Sequence, residues 1–367
     1  MKTQLLVVAV SIVLLSWPKA AAAQCSTYGG RATVVQANVL NIAPVVLSDT
    51  GNINSTGGVN DASLLNASVP GLLTAEVFSA TAGGEGSFSQ SVASMANLNL
   101  TVAGNTIGAD FVMAHANASC GSGGLTDSGS AEIDGLVVNG QSIAVTGSPN
   151  QMVSLPGLLG GYIVLNEQSS SVDGSITVNA IHVMVPVVAD AVISSAYAAV
   201  SGQLIGIGSS GGPVLFVGLL LQLPFAGTGG GGGGTCTDFF TGGGWITGTP
   251  SGDKGNFGVS GGVNPGGHAM GHLEYVDHGT GMNVHGTNAP ICTATSATSR
   301  EITGTANVSF PSGGKCTTGS YIVDVSDDDS SGTDTFAISV SGCGPAYTAG
   351  EPAGSTNLGG GDIEIHK

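Results

Sequence analysis

The chain is short of charge. Only 8% of its 367 residues are Asp, Glu, Lys or Arg, and only seven are basic. Between Gln24 and Thr235 the sole base is Arg31. Holding nucleic acid or an anionic membrane surface takes clustered cations, so both are excluded as partners. Aromatic residues make up 5% of the chain. That argues against a lectin built on rings that stack under sugar faces. Lys and Glu, the usual fillers of helix surfaces, are also few. In their place stand 62 glycines and many Val, Ile, Thr and Ser, as in short strands joined by tight turns. The acids outnumber the bases 24 to seven, a formal net charge of −17 that favours cations.

The N-terminus reads as a secretory leader over residues 1–23. Lys2 supplies the positive start, Leu5 to Trp17 the apolar run, and Ala21-Ala22-Ala23 the small-residue cleavage site. Gln24 stands where a lipoprotein signal needs a small residue before Cys25, so cleavage after Ala23 is expected. The other long apolar run, "PVLFVGLLLQLPF" (213–225), is short for a bilayer span and carries no basic flank. It reads as a last strand or an interdomain segment. The expectation is therefore a secreted, extracellular protein, surface-associated or free, with no stable membrane span once the leader is gone.

Six cysteines, an even number, in a chain bound for an oxidising compartment predict disulfides. Cys25 and Cys120 fall in the first half, the other four in the second. If "YIVDV" and "TFAISV" pair around "SDDDSSGT", a suitable register sets Cys316 opposite Cys343 at the open end. The same register would set Ser320 opposite Ser339. Cys236 then pairs with Cys292 by elimination. Cys25–Cys120 would close the longest loop, worth on the order of 4–5 kcal/mol in the chain-entropy view.

From about residue 24 to 202 strand follows strand. "TVVQANVLNI" and "SITVNAIHVMV" mix alternation with solid β-branched runs, as strands do when buried against a second sheet. "GLVVNGQSIAV" reads as a hairpin turning at Asn139-Gly140. Residues 203–235 are uncharged and end in a glycine run, a linker. Residues 236–367 form a second series of strands. The fold class is all-β: two sandwich-like domains joined by a Gly-rich linker and stapled by disulfides.

Three patterns bear on chemistry. "GSSGGPVL" places Ser210 in a nucleophile-like loop, with His115 in "MAHANASC" upstream. A glycine-rich junction is a poor scaffold for a nucleophile, and a protease is set aside. "DVSDDDSSGTD" gathers Asp324, Asp327, Asp328, Asp329 and Asp334 at a hairpin tip. These are hard oxygen ligands of the kind Ca²⁺ takes, though without EF-hand spacing and among ordinary turn residues. "GHLEYVDHGTGMNVHG" (271–286) alternates Leu273, Tyr275, Met282 and Val284 with polar residues. Matching core face to core face sets Tyr275 opposite Val284 and Asp277 opposite Met282, with 278–281 as the loop. Glu274 then faces His285 at ~5 Å between Cβ atoms. His272 lies ~7 Å along the same face. Two histidines and a carboxylate would suffice for a Zn²⁺ or Fe²⁺ site, and equally form a polar, solvated sheet face. His182, inside "ITVNAIHVMV", reads as a histidine hydrogen-bonded within its sheet.

The blocks "GRATVVQANVL", "VPGLLTAEVFSATAGG", "SVASMANLNLTVAGNTIGADFVMAHANASC", "LVVNGQSIAVTGSPNQMVSLPG" and "IVLNEQ" resemble, in this order, the choice-of-anchor P family. These are secreted bacterial surface proteins with no assigned chemistry. The resemblance spans roughly residues 29–202. Blocks from "TGGGWI" to "LGGGDIEIHK" resemble the β domain that often follows. It implies a cell-envelope or extracellular partner and no catalytic residue. With no LPxTG-like sorting motif before "EIHK", secretion or non-covalent attachment is expected. The functional expectation is a secreted or cell-surface structural or interaction protein, not an enzyme, requiring no cofactor. The alternatives are a Ca²⁺-stabilised adhesion module using the Asp324–Asp334 loop and a metal-dependent hydrolase using His272, Glu274 and His285.

Overall fold

A computed structural model describes residues 25–121, 124–157, 160–202, 234–263, 269–328, 334–350 and 356–366; among them there is no α-helix. The leader, the linker to residue 233, Ser210 and Asp329 lie outside the described residues.

The first half supplies β1 (Thr27–Val39), β2 (Val45–Asp49), β3 (Gly58–Val69), β4 (Leu73–Glu85), β5 (Phe88–Val102), β6 (Asn105–Gly121) and β7 (Gly124–Asp134). It continues through β8 (Val137–Val138), β9 (Gln141–Ser142), β10 (Gln151–Ser154), β11 (Tyr162–Ser171), β12 (Ser175–Val185) and β13 (Ala189–Ser201). The second half supplies β14 (Gly234–Thr235), β15 (Phe239–Ile246), β16 (Gly255–Val263), β17 (Ala269–Asp277), β18 (Met282–Gly286) and β19 (Ile291–Ala294). Then come β20 (Ser299–Ser309), β21 (Lys315–Ser326), β22 (Thr335–Ser341), β23 (Tyr347–Ala349) and β24 (Gly360–His366).

Two antiparallel sheets make a sandwich of the first half. Sheet I runs β10-β11-β12-β13-β1-β2, and sheet II runs β3-β4-β5-β6-β8-β9 with β7 also on β6. Their facing sides hold Val34, Val178 and Ile193 against Phe78, Met95 and Val112, all removed from solvent. Many partners in this core are alanines (Ala80, Ala93, Ala114, Ala196), whose small side chains bring the sheets close. The β8–β9 turn forms at Asn139 (φ 50°) and Gly140 (φ 78°), as the dipeptide implied. Cys25–Cys120 ties the segment just before β1 to β6.

The second half is a single eleven-stranded sheet, sheet III, ordered β23-β22-β21-β20-β18-β17-β16-β15-β24, with β19 also on β20 and β14 on β19. It folds over its own apolar face until Phe257 on β16 stacks on Phe336 of β22, ring centroids 3.8 Å apart. The two facing walls make it sandwich-like. Cys236–Cys292 and Cys316–Cys343 are both formed. The hairpin carrying the latter differs from the register argued above. Ser320 pairs with Ser341, not Ser339, two residues further on. A bulge in the β20–β21 ladder, between Ala306 and Val308, displaces β21 below Gly319. Cys316 therefore reaches Cys343 beyond the end of the β21–β22 ladder.

The two halves are docked, not merely tethered. Strand β4 is buried on both sides: Phe78 and Ala80 face sheet I, while Val77, Ser79 and Thr81 face sheet III. Glycines permit the approach. A Cβ on Gly258 would lie 2.8 Å from Ser79 Cβ, and one on Gly243 would lie 2.6 Å from Ser94 Oγ. Sheet II is thus the middle of three layers.

Candidate functional site

The hairpin 269–286 forms in the register read from its sequence: Glu274 opposes His285, Tyr275 opposes Val284, and Asp277 opposes Met282. Asp277 closes the four-residue loop by accepting hydrogen bonds from the N–H groups of Gly279 and Thr280. It also accepts the Tyr347 hydroxyl at 2.7 Å.

Most of the polar face of this hairpin is covered, although the His285 side chain stays 44% exposed. It lies against β3 and β4, and Glu274 is 0% exposed and His272 7%. Glu274 Oε1 accepts His285 Nδ1–H at 2.7 Å and the Ser63 hydroxyl at 2.9 Å. That carboxylate raises the His285 pKa against the opposing effect of burial. His272 turns elsewhere. Its Nε2 meets Ser79 Oγ at 3.0 Å, and its Nδ1 meets Ser260 Oγ at 3.1 Å and Asp61 Oδ2 at 3.4 Å. The contact with His272 holds the Asp61 carboxyl below its ordinary value despite burial. The three candidate ligands therefore divide between two neighbouring networks, each reaching into the first half, while Glu274 Oε2 is buried without a hydrogen-bond partner. No group of three or more His, Cys, Asp or Glu among the described residues is arranged to hold a metal ion.

Two more histidines serve the same junction. His278 Nε2 lies 2.8 Å from the side-chain amide of Asn256 and 3.2 Å from that of Asn97, with Glu76 Oε2 at 3.6 Å. His115, on β6, contacts Gln90 and lies 3.1 Å from Glu364 Oε2 on β24. Burial pushes the His115 imidazole down to about 4. His366 is driven to about 3, by burial first and by His115 second. It hydrogen-bonds Thr241 and packs on Phe239 at 4.4 Å. Lys254 adds an ion pair to Asp110 at 2.9 Å and lies over the Trp245 ring. His182 stays within sheet I, between Glu167 and Asp190.

The acidic loop is engaged as well. Asp334 Oδ2 accepts the Ile363 N–H at 2.7 Å and Asp327 Oδ2 the Ile365 N–H at 2.9 Å. Glu132, from the first half, accepts the Gly361 N–H at 2.8 Å. Three carboxylates thus cap alternate N–H groups along the outer edge of β24, a row that would otherwise invite another strand. Asp334 also accepts the Asp328 N–H, and Asp324 sits in the ladder opposite Glu301 and Ala337. Crowding tells on Asp362: burial, then Asp334, raise its carboxyl well above the usual range.

The first-half partners Asp61, Ser63, Glu76 and Ser79 were not singled out in the sequence. Nothing local marks them: β3 and β4 carry Asp61, Glu76 and Glu85 among small polar residues of the kind found throughout the chain.

No protein-family profile matches the chain, and no curated protein resembles it significantly. Among solved structures, a Nitrosomonas europaea protein described as a candidate AttH aligns over 92% of both chains at 6% identity and a TM-score of 0.15. A likeness that low carries no argument.

Proposed function

We propose that the chain is a secreted or cell-surface structural and interaction protein without catalytic activity, of the kind its resemblance to the choice-of-anchor P family implies. One observation carries the reading. Of the histidines and acids that invite a catalytic interpretation, His272, Glu274 and His115 make contacts that join the two halves. His115–Glu364, His272–Asp61 and His278–Glu76 all cross that junction. Three disulfides suit an oxidising compartment. No helix among the described residues is long and apolar enough to cross a membrane.

Mass spectrometry of the protein expressed from its full-length gene tests this. The expected result is an N-terminus at Gln24 and three disulfide-linked peptide pairs. An unprocessed chain with free thiols in the cytoplasm would overturn secretion. Elemental analysis tests the rest: a stoichiometric metal whose removal abolishes a hydrolytic activity would overturn the non-catalytic reading. A melting temperature that responds to calcium and to EDTA would favour the adhesion module built on Asp324–Asp334.

A further inference from the structure

We infer that the groove crossing the outer face of sheet II, at the foot of the second half, binds an uncharged, hydroxyl-rich polysaccharide. This deepens the interaction reading above by naming a ligand class.

The groove is open and has a volume of about 910 Å³. Its apolar lining residues Leu98, Leu100 and Ile107 are 1% exposed and belong to the core beneath. The outward positions are amides and hydroxyls: Asn66, Thr74, Asn99, Thr101 and Thr106. Thr74 opposes Asn99 across β4–β5, and Thr101 opposes Thr106 across β5–β6. Neutral donors and acceptors therefore form rows at the ~4.8 Å strand spacing, close to the length of one sugar residue.

Charge decides the class. An anionic ligand meets a chain of net charge −17. A cation meets two carboxylates that are already engaged, Asp110 by Lys254 and Glu76 by the Asn97 amide at 3.0 Å. What remains matches the hydroxyls of a neutral sugar. The groove is also built at some cost in backbone strain. Val77, which is β-branched, has φ 52°, Asn97 has φ 50°, and the β4–β5 register slips on both sides of Glu76. Bulges re-aim side chains, and backbone strain of this kind gathers at functional sites. Here it accompanies the contacts of Glu76 and Asn97 with His278. His278 and Lys254, which contact the lining residues Glu76, Asn97 and Asp110, come from the second half, so docking helps to position these side chains. With no aromatic platform, each hydrogen bond merely replaces one to water, and affinity is weak, about millimolar.

Titration calorimetry of the full mature protein with chitohexaose, cellohexaose and mannohexaose, and with hexagalacturonate as the anionic counterpart, tests the inference. Saturable binding of at least one neutral hexasaccharide is expected. Asn99→Ala combined with Thr101→Ala, both exposed positions, should weaken it about tenfold at unchanged melting temperature. Asn97→Gly, which keeps the left-handed backbone but removes the amide, should weaken it likewise. The inference is overturned if no neutral hexasaccharide binds at about 10 mM. Preferential binding of hexagalacturonate, or variants that bind like wild type, would also overturn it. Such a failure leaves the leader and disulfide tests of secretion untouched.

Discussion

At the residue scale, the junction holds titratable groups whose burial shifts stability with pH in opposite directions. His115 is neutral when buried, its value about 4 against 6.5 when free. A histidine lowered in the folded state contributes stability above its unfolded value and loses it as pH falls toward the folded one. Gln90 and Glu364 face it, and Glu364 offsets part of the cost of charging it. His115→Gln should therefore gain stability relative to wild type between pH 6.5 and 4, and not above pH 7. Asp362 behaves in the opposite sense. Its carboxyl is raised by burial, Asp334, Glu364 and Glu132, so its contribution is intact below the unfolded value and lost as pH rises. Asp362→Asn should melt higher than wild type at pH 9, with the gain vanishing near pH 4. Melting curves of both variants across this range check the two signs; a pH-independent difference in either would contradict the burial that causes it.

At the element scale, two devices hold the third layer. The first is the carboxylate edge of β24. Asp327→Ala removes the acceptor for the Ile365 N–H and should cost about 1–3 kcal/mol locally. Amide exchange at Ile365 should then accelerate by roughly tenfold or more, while Ile363, held by Asp334, changes little. Equal acceleration at both would mean that the strand opens as a unit. The second device is the glycine face of β16. Gly258→Val suits an isolated strand but would set Cβ against Ser79, so it should loosen docking by about 1–3 kcal/mol while sheet III stays folded. Exchange rising along β4 and β17 together, with the Phe257–Phe336 core still protected, is the expected pattern. The strands themselves were legible in the sequence, because alternation and turn dipeptides are local signals. Leu273, Tyr275, Met282 and Val284 fixed the histidine hairpin's register in advance. The β21–β22 hairpin defeated the same reasoning, since a bulge leaves little trace in composition.

At the scale of the whole molecule, the sequence suggested two modules on a flexible tether, and the structure joins them. What covers a polar sheet face is set by residues far away in the chain. His272 meets Ser79 across 193 positions, and Glu274 meets Ser63 across 211. Neither partner forms a local motif, so the face of 271–286 looked like one open to water. The central claim is that the halves form one docked body through this histidine–carboxylate junction. Small-angle X-ray scattering of the mature protein at pH 7.5 tests it most directly. A compact chain of this length should give a radius of gyration of about 20 Å and a single maximum in its pair-distance distribution. A clearly larger radius with a second maximum, two lobes separated by an extended linker, would contradict the account.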